Sequence, residues 1–409
     1  MITAPPACGR GLGGGHAGSP EIKPTPYPSR EREGSQDLAL YIHWPFCVSK
    51  CPYCDFNSHV RSHIDQDEWR EALLADLAHE AKLLPGRRLT SIFFGGGTPS
   101  LMEPATVAAL IAAAHEHWSA SDDIEITLEA NPNSVEAARF ADLAAAGVNR
   151  LSLGLQSLDD ESLRFLGRAH NAREGLNALE IAQDNFERVS FDLIYALPGQ
   201  SLAHWARMLR RAIGYGTGHL SLYQLTIEPG TRFAALDAAG KFEPLDSDKA
   251  AELYEVTENM TRAAGVPAYE ISNHAAPGAE SRHNLTYWRY GDYVGVGPGA
   301  HGRRLGMRTV RHRKPENFLS ALRRNGSGIA EEERLNPREG ADEALVMGLR
   351  LAEGIDIGAV EERFGVPVAD QARIERLVDS GHLARSDSRI KPTRAGRLVL
   401  DRILAEIAV

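Results

Sequence analysis

The 409-residue chain has only four cysteines and no apolar run near the ~18 residues that cross a bilayer. Its nearest approach, Val107 to Ala114, is a short Ala-rich helix face. No hydrophobic segment of a secretory leader is visible near the N-terminus, so the expected location is cytoplasmic. An excess of positive charge is missing too. The formal net charge is −10, which argues against a protein that coats nucleic acid by bulk charge. A disulfide scaffold is excluded on different grounds, because such scaffolds spread their cysteines to staple distant segments. Here Cys47, Cys51 and Cys54 fall within eight residues and only Cys8 lies apart. That clustering points to a metal site in a reducing compartment. What is present, 43% hydrophobic and 24% charged residues, is globular composition with room for one large domain and a smaller one.

Residues 1 to 36 hold seven Gly and six Pro with no periodicity, too little apolar surface to offset their ordering entropy. They read as a disordered tail, and Cys8 within it as incidental. From Leu38, short β-branched or aromatic runs alternate with amphipathic stretches. The runs begin at Leu38, Ser91, Ile124, Asn149, Arg188 and His219. Between them, WREALLADLAHEAKLL and TVAALIAAAHEHW repeat apolar residues at i, i+3, i+4 and i+7. Ser134 is expected to open one helix and Gly147 to close it. Six strands separated by helices predict a parallel sheet with right-handed crossovers, an α/β fold of the partial, six-unit TIM-like barrel type. Ala268 to Gly302 breaks the alternation. Beyond Gly302 comes a basic run, eight Lys or Arg between Arg303 and Arg324 with Glu316 as the one acid. Three helices, a hairpin and a closing helix follow, with Gly381 as a C-cap, which predicts a winged-helix-like module. The expected divisions are 1–37 (tail), 38–302 (barrel) and 303–409 (linker and C-terminal domain).

Cys47-Val-Ser-Lys-Cys51-Pro-Tyr-Cys54 follows the first expected strand directly, at the face where parallel barrels build their sites. Three thiolates on one loop hold three irons of a [4Fe–4S] cube and leave the fourth open to an exchangeable small molecule. A zinc ion on the same cysteines, with His43 or His59 as fourth ligand, is the alternative that spacing allows.

The stretch YIHWPFC ending at Cys47, with CPYCDF from Cys51 to Phe56, resembles the cluster loop of the radical S-adenosylmethionine (SAM) superfamily. Within it, residues 38 to 400 resemble the group of oxygen-independent coproporphyrinogen III oxidases and HemW-type haem chaperones. That resemblance implies a [4Fe–4S] cluster on Cys47, Cys51 and Cys54, with SAM chelated to the open iron. It implies that Gly96, Gly97 and Thr98, in the FGGGTP segment, receive the methionine part of SAM. Glu129 in LEANP, Gln156 in LGLQS, Arg168 in LGRAH and Asp192 in FDLIYALPG match further SAM contacts, as do Tyr41 and Tyr53 beside the cluster. No catalytic residue is assigned.

Two features divide the group. The oxidases resemble C-x₃-C-x₂-C-x-C, whereas this chain has Phe56 at the last position, as in the chaperones. The segment from Arg282 to Trp288 carries the H-N-x-x-Y-W pattern of the chaperones, an imidazole that can ligate haem iron beside aromatic faces suited to a flat macrocycle. His283 is therefore the candidate haem ligand, with His43, His274 and His301 as rivals and a buried core histidine as the plain alternative. The basic run from Arg303 faces either haem propionates or solvent. The implied function is binding haem and passing it to an acceptor protein, with a reductant for the cluster and membrane contact only through an acceptor. Oxidative decarboxylation of coproporphyrinogen III is the rival. A nucleic-acid role for the C-terminal module is disfavoured, since its arginines sit among acids rather than in a basic stripe.

Overall fold

In the first strand, Asp37–Trp44, successive side chains point to opposite faces, and both faces are buried. Leu38, Leu40, Ile42 and Trp44 pack into an apolar cluster with Trp69, Leu73 and Leu77 of the helix Gln66–Leu83, while Ala39, Tyr41 and His43 point the other way. A strand covered on both sides can belong only to a sheet sandwiched by other elements. The computed structural model, which describes residues 36–409, shows that sheet. The tail and Cys8 lie outside the described residues.

Eleven strands run in one sheet. In chain order they are β1 (Asp37–Trp44), β2 (Arg88–Gly96), β3 (Ser119–Ala130), β4 (Arg150–Gln156), β5 (Arg188–Tyr195), β6 (Gly218–Gln224), β7 (Asn273–Ala275), β8 (Tyr293–Val296), β9 (His301–Arg304), β10 (Met307–Arg311) and β11 (Ile329–Arg334). Their spatial order is β11-β10-β9-β8-β1-β2-β3-β4-β5-β6-β7. The six expected strands are β1 to β6, adjacent and parallel in sequence order. A seventh parallel strand, β8, lies on the far side of β1. It is four residues long, contains Gly295 and is followed by Gly297, so it carries no readable period.

Helices on the outer face cover this sheet, and several begin where a side chain can accept a free backbone N–H. Asp65 caps Gln66–Leu83 and Asn171 forms a reciprocal capping box with Glu174. The helix expected to start at Ser134 is two short ones, Ser134–Ala137 and Phe140–Ala145. Asn133, one residue earlier, is the true cap, its Oδ1 accepting from Glu136 N at 2.9 Å.

The compositional change at Arg303 falls inside the sheet, since β9 to β11 continue it in antiparallel fashion. Five of the eight cations of the basic run are exposed, while Arg303, Arg304 and Arg311 are buried. Arg311 is fully buried and reaches Asp76 at 3.2 Å and Glu80 at 2.5 Å. Arg304 pairs with Glu80 and with Glu332 at 2.9 Å. Burial pushes the Glu80 carboxyl up, but Arg311 and Arg304 together hold it below its ordinary value. Asp76 also accepts from Gly297 N and Gly328 N, so every charge in this interior cluster is answered.

From Pro337 the chain forms its own apolar cluster, which includes Leu345, Ile357, Ile374, Leu383, Ile390 and Ile403. Helices Pro337–Gly348, Ile357–Phe364 and Gln371–Asp379 precede the hairpin Leu383–Ser386 and Arg389–Pro392. Gly381, at φ +75°, ends the third helix in the left-handed turn that glycine adopts without strain. Arg373 and Arg385 of this module pair with Asp370 and Glu375.

Candidate cluster and cofactor site

The C-terminal ends of β1 to β5 and the loops that leave them form one concave rim. Cys47 leaves β1 in a two-residue strand, Phe46–Cys47, paired in parallel with His59–Val60, so the loop between is pinned at both ends. Cys54 N donates to Cys51 O, folding the middle of the loop into a turn. All three cysteines are half-buried free thiols. Burial raises Cys47 above its ordinary pKa and pushes Cys54 to about 11. A metal centre bound here would have to displace protons from Cys47 and Cys54.

The glycine segment after β2 stitches this loop in place. Gly97 N donates to Trp44 O at 2.7 Å and Thr98 N to Phe46 O at 2.8 Å. No side chain fits here. A Cβ on Gly97 would lie 2.6 Å from Phe46 O, and one on Gly96, at φ +111°, would lie 2.6 Å from the His43 ring.

Two donors address the thiol sulfurs. Thr98 Oγ1 donates to Cys47 Sγ at 3.4 Å and Arg168 Nη1 donates to Cys51 Sγ at 3.3 Å. Asn131 joins them: its Nδ2 donates to Thr98 Oγ1 at 3.0 Å and its Oδ1 accepts from Arg168 Nη2 at 2.5 Å. Arg168 Nη2 also donates to Gly154 O, while its Nε is buried without a partner. Tyr53 lies against Arg168 and Cys51, and burial raises its hydroxyl pKa. Asn131 is the functional residue that motif reading passed over, although it stands two residues after Glu129 in the same LEANP segment.

Deeper in the barrel stand Glu129 and Asp192. Glu129 Oε2 accepts from Gly96 N at 3.2 Å, and its pKa is pushed up to about 8 by burial and then by Asp192. Asp192 is pushed up to about 6 by burial, despite hydrogen bonds from Ser221 and Ser152. Among the described residues neither carboxylate forms an ion pair. Two half-buried acids outside any ion pair suit a ligand that brings a cation, such as a ligand with ammonium and sulfonium centres. Gln156 closes β4 in the left-handed region at φ +64°, a strained state for a side-chain-bearing residue that turns the chain at the rim.

Tyr41 Oη bonds to His43 Nδ1 and His43 Nε2 to Asn57 O, both at 2.9 Å. With both nitrogens engaged and burial pulling its pKa to about 4, His43 is not a fourth zinc ligand. Among the described residues no three His, Cys, Asp or Glu side chains converge around one ion.

His283 is elsewhere. Its helix, Arg282–Trp288, plugs the opposite end of the strands, where Glu125 Oε1 accepts from Ser281 Oγ and His283 N while Glu125 pairs with Arg150 and Arg188. The His283 ring stacks on Phe93 at 4.9 Å between centroids. Ser91 Oγ and Tyr287 Oη occupy its two nitrogens. In this structure the ring is 1% exposed. His274 is equally buried, whereas His301 is exposed.

Comparison with known proteins agrees with this geometry. The Radical SAM superfamily profile matches residues 41–212, and the HemN C-terminal domain profile matches 335–399. Heme chaperone HemW of Escherichia coli is 43% identical over 292 residues, 69% of this chain and 75% of that protein. The chain belongs to the HemW family of radical SAM proteins. Another relative, the mitochondrial radical S-adenosyl methionine domain-containing protein 1 of Bos taurus, is 42% identical over 80% of this chain and 76% of its own. The solved structure of coproporphyrinogen III oxidase HemN from Escherichia coli superposes with a TM-score of 0.76 at 22% identity, covering 90% of this chain and 89% of that one. This likeness is one of fold, and it accounts for the α/β architecture with a helical C-terminal region. Among the described residues no helix is long and apolar enough to cross a membrane.

Proposed function

We propose that this chain is a haem chaperone that carries one [4Fe–4S] cluster on Cys47, Cys51 and Cys54, with an exchangeable SAM on the open iron, and passes haem to an acceptor protein. The observation that carries this reading is the end of the cysteine loop. Phe56, where the oxidases of the same group carry a cysteine, is 55% exposed, an apolar side chain held out to solvent in place of a thiol. Identity to a relative named a heme chaperone supports the same choice. Cytoplasmic location remains part of the proposal, and a relative named mitochondrial marks a second reducing compartment.

When bound, the cluster supplies an electron and an open coordination position for SAM. The rest belongs to this chain. Thr98 and Arg168 stabilise negative charge on two thiolates. Glu129 and Asp192 offer carboxylates to the cationic groups of SAM, and Gly96 and Gly97 let it approach the backbone. Tyr41 and Tyr53 close the sides, and Gln156 completes the rim.

The rival reading, oxidative decarboxylation of coproporphyrinogen III, is favoured by the likeness in fold to HemN. One anaerobic experiment separates the two. Reconstituted protein is given coproporphyrinogen III, SAM and a reductant in one vessel, and haem with an apo-haemoprotein acceptor in another. Haem transfer without porphyrinogen turnover is expected, and robust protoporphyrinogen formation would overturn the chaperone reading.

A further inference from the structure

Three serines on neighbouring strands gather around Asp192, and the register of the sheet puts them there. Glu129 of β3 is level with Ser152 of β4, and Ser152 is level with Ser190 of β5. Asp192 lies two residues beyond Ser190, on the same face of β5, and is level with Ser221 of β6. The residues between them, such as Leu151, Leu153, Phe191 and Leu220, point the other way into the apolar core.

Serine is mostly a surface residue, and a buried hydroxyl without a partner is costly. Ser190 and Ser221 are nonetheless only 2% and 4% exposed. Their hydroxyls have work here. Ser190 Oγ donates to Ser152 Oγ at 3.0 Å, and Ser152 Oγ donates to Asp192 Oδ1 at 3.4 Å. Ser221 adds a side-chain hydrogen bond to Asp192 from the strand on the other side. Because Ser190 supplies the proton that Ser152 accepts, the Ser152 proton is left for the carboxylate. The other groups facing Asp192 are Glu129 on β3, Arg168 after β4 and Tyr223 on β6. Arg168 is always cationic, and Tyr223 is a phenol that stays neutral in this pH range. Glu129, at about 8, keeps its proton while Asp192 titrates near about 6.

We propose that Ser152, Ser190 and Ser221 are positioning residues of the SAM site, which hold the Asp192 carboxylate in place and stabilise its negative charge for a cationic group of the cofactor. This rests on the reading of Asp192 as a SAM contact and adds the residues that make it one. Donors to a carboxylate favour its ionised form. Their loss therefore matters most where Asp192 titrates.

The test measures SAM affinity of the full-length, cluster-loaded protein by anaerobic equilibrium dialysis as pH is lowered. The parent should lose affinity as pH falls through about 6, where Asp192 takes up its proton. Asp192→Asn should bind weakly and lack that acid limb. In Ser152→Ala and in Ser221→Ala the midpoint should move up by about one pH unit, the equivalent of one hydrogen bond to a charged group. Near the parental midpoint these variants should bind several-fold more weakly, and at higher pH they should regain parental affinity. Ser190→Ala, which acts through Ser152, should move the midpoint by less. Ser152→Thr keeps a hydroxyl and should restore the parental profile. Circular dichroism and cluster absorbance report that each variant is folded and loaded. Folded Ser152→Ala and Ser221→Ala that keep the parental midpoint, or lose affinity by one factor at every pH, overturn the positioning role while leaving SAM binding intact. If Asp192→Asn binds SAM as the parent does, Asp192 is no contact and the proposal falls. If the parent fails to bind SAM at all, the cofactor reading falls and the positioning role with it.

Discussion

The Asn131 side chain bridges Thr98 and Arg168, so the two donors that address Cys47 Sγ and Cys51 Sγ are parts of one hydrogen-bonded chain. Hydrogen bonds to cluster sulfurs raise the reduction potential by stabilising the more negative state. Asn131→Ala leaves both donors free to turn away. Its cluster is expected to have a midpoint potential lower by some tens of millivolts, and Asn131→Gln should fail to restore it because the bridge geometry changes. Redox titration followed by EPR of the reduced cluster reads this directly, and an unchanged potential would refute it.

Gly97 is expected to tolerate no side chain. In Gly97→Ala the new methyl meets Phe46 O at 2.6 Å, on the backbone that carries Cys47. Overpacking of this kind costs about 1–3 kcal/mol, and relief comes only by moving the cysteine loop. The variant should unfold at lower urea concentration and hold less iron per chain after reconstitution.

Stability of the SAM-free protein should depend on pH through Glu129 and Asp192. Their pKa values stand at about 8 and about 6, above the ordinary 4.5 and 3.8, because burial disfavours the charged forms. The folded state thus holds these protons more tightly than the unfolded chain. Their stabilising contribution is complete in acid and is lost as pH rises through about 6 and then about 8. Thermal melts should show Tm falling across that window, with a shallower fall in Glu129→Gln. Added SAM should shrink the fall, since its cation offsets the buried charge.

Arg311→Leu should be among the most destabilising changes outside the site. It strands Asp76 and leaves Glu80 with Arg304 alone. Removing one partner of a buried ion pair costs about 3–5 kcal/mol. Asp76→Leu combined with Arg311→Leu should recover part of that loss, and denaturant titration of the single and double variants reads the coupling.

How much of this was legible from residue order depends on how local the information is. The strands β1 to β6, the glycine cradle and the cysteine loop were readable because period, turn chemistry and spacing act over a few neighbours. Phe56 was readable for the same reason, as a missing thiol at a fixed distance from Cys54. The cap at Asn133 was missed by one residue, because Asn and Ser stand side by side and both are competent caps.

What needed the tertiary structure was every question of which side chains meet across the sheet. Arg311 reads as one more cation in a basic run until Asp76 and Glu80 are seen beside it. His283 and His301 are both histidines in glycine- and aromatic-rich segments. One is a plug with both nitrogens taken, the other stands in solvent beside the cysteine loop. Burial and partnership are set by chain segments hundreds of residues apart, and no local pattern encodes them. The three cysteines that made a metal site evident are an eight-residue fact. The Thr98–Asn131–Arg168 chain that holds two of them exists only once β1, β2, β3 and the loop after β4 share one rim.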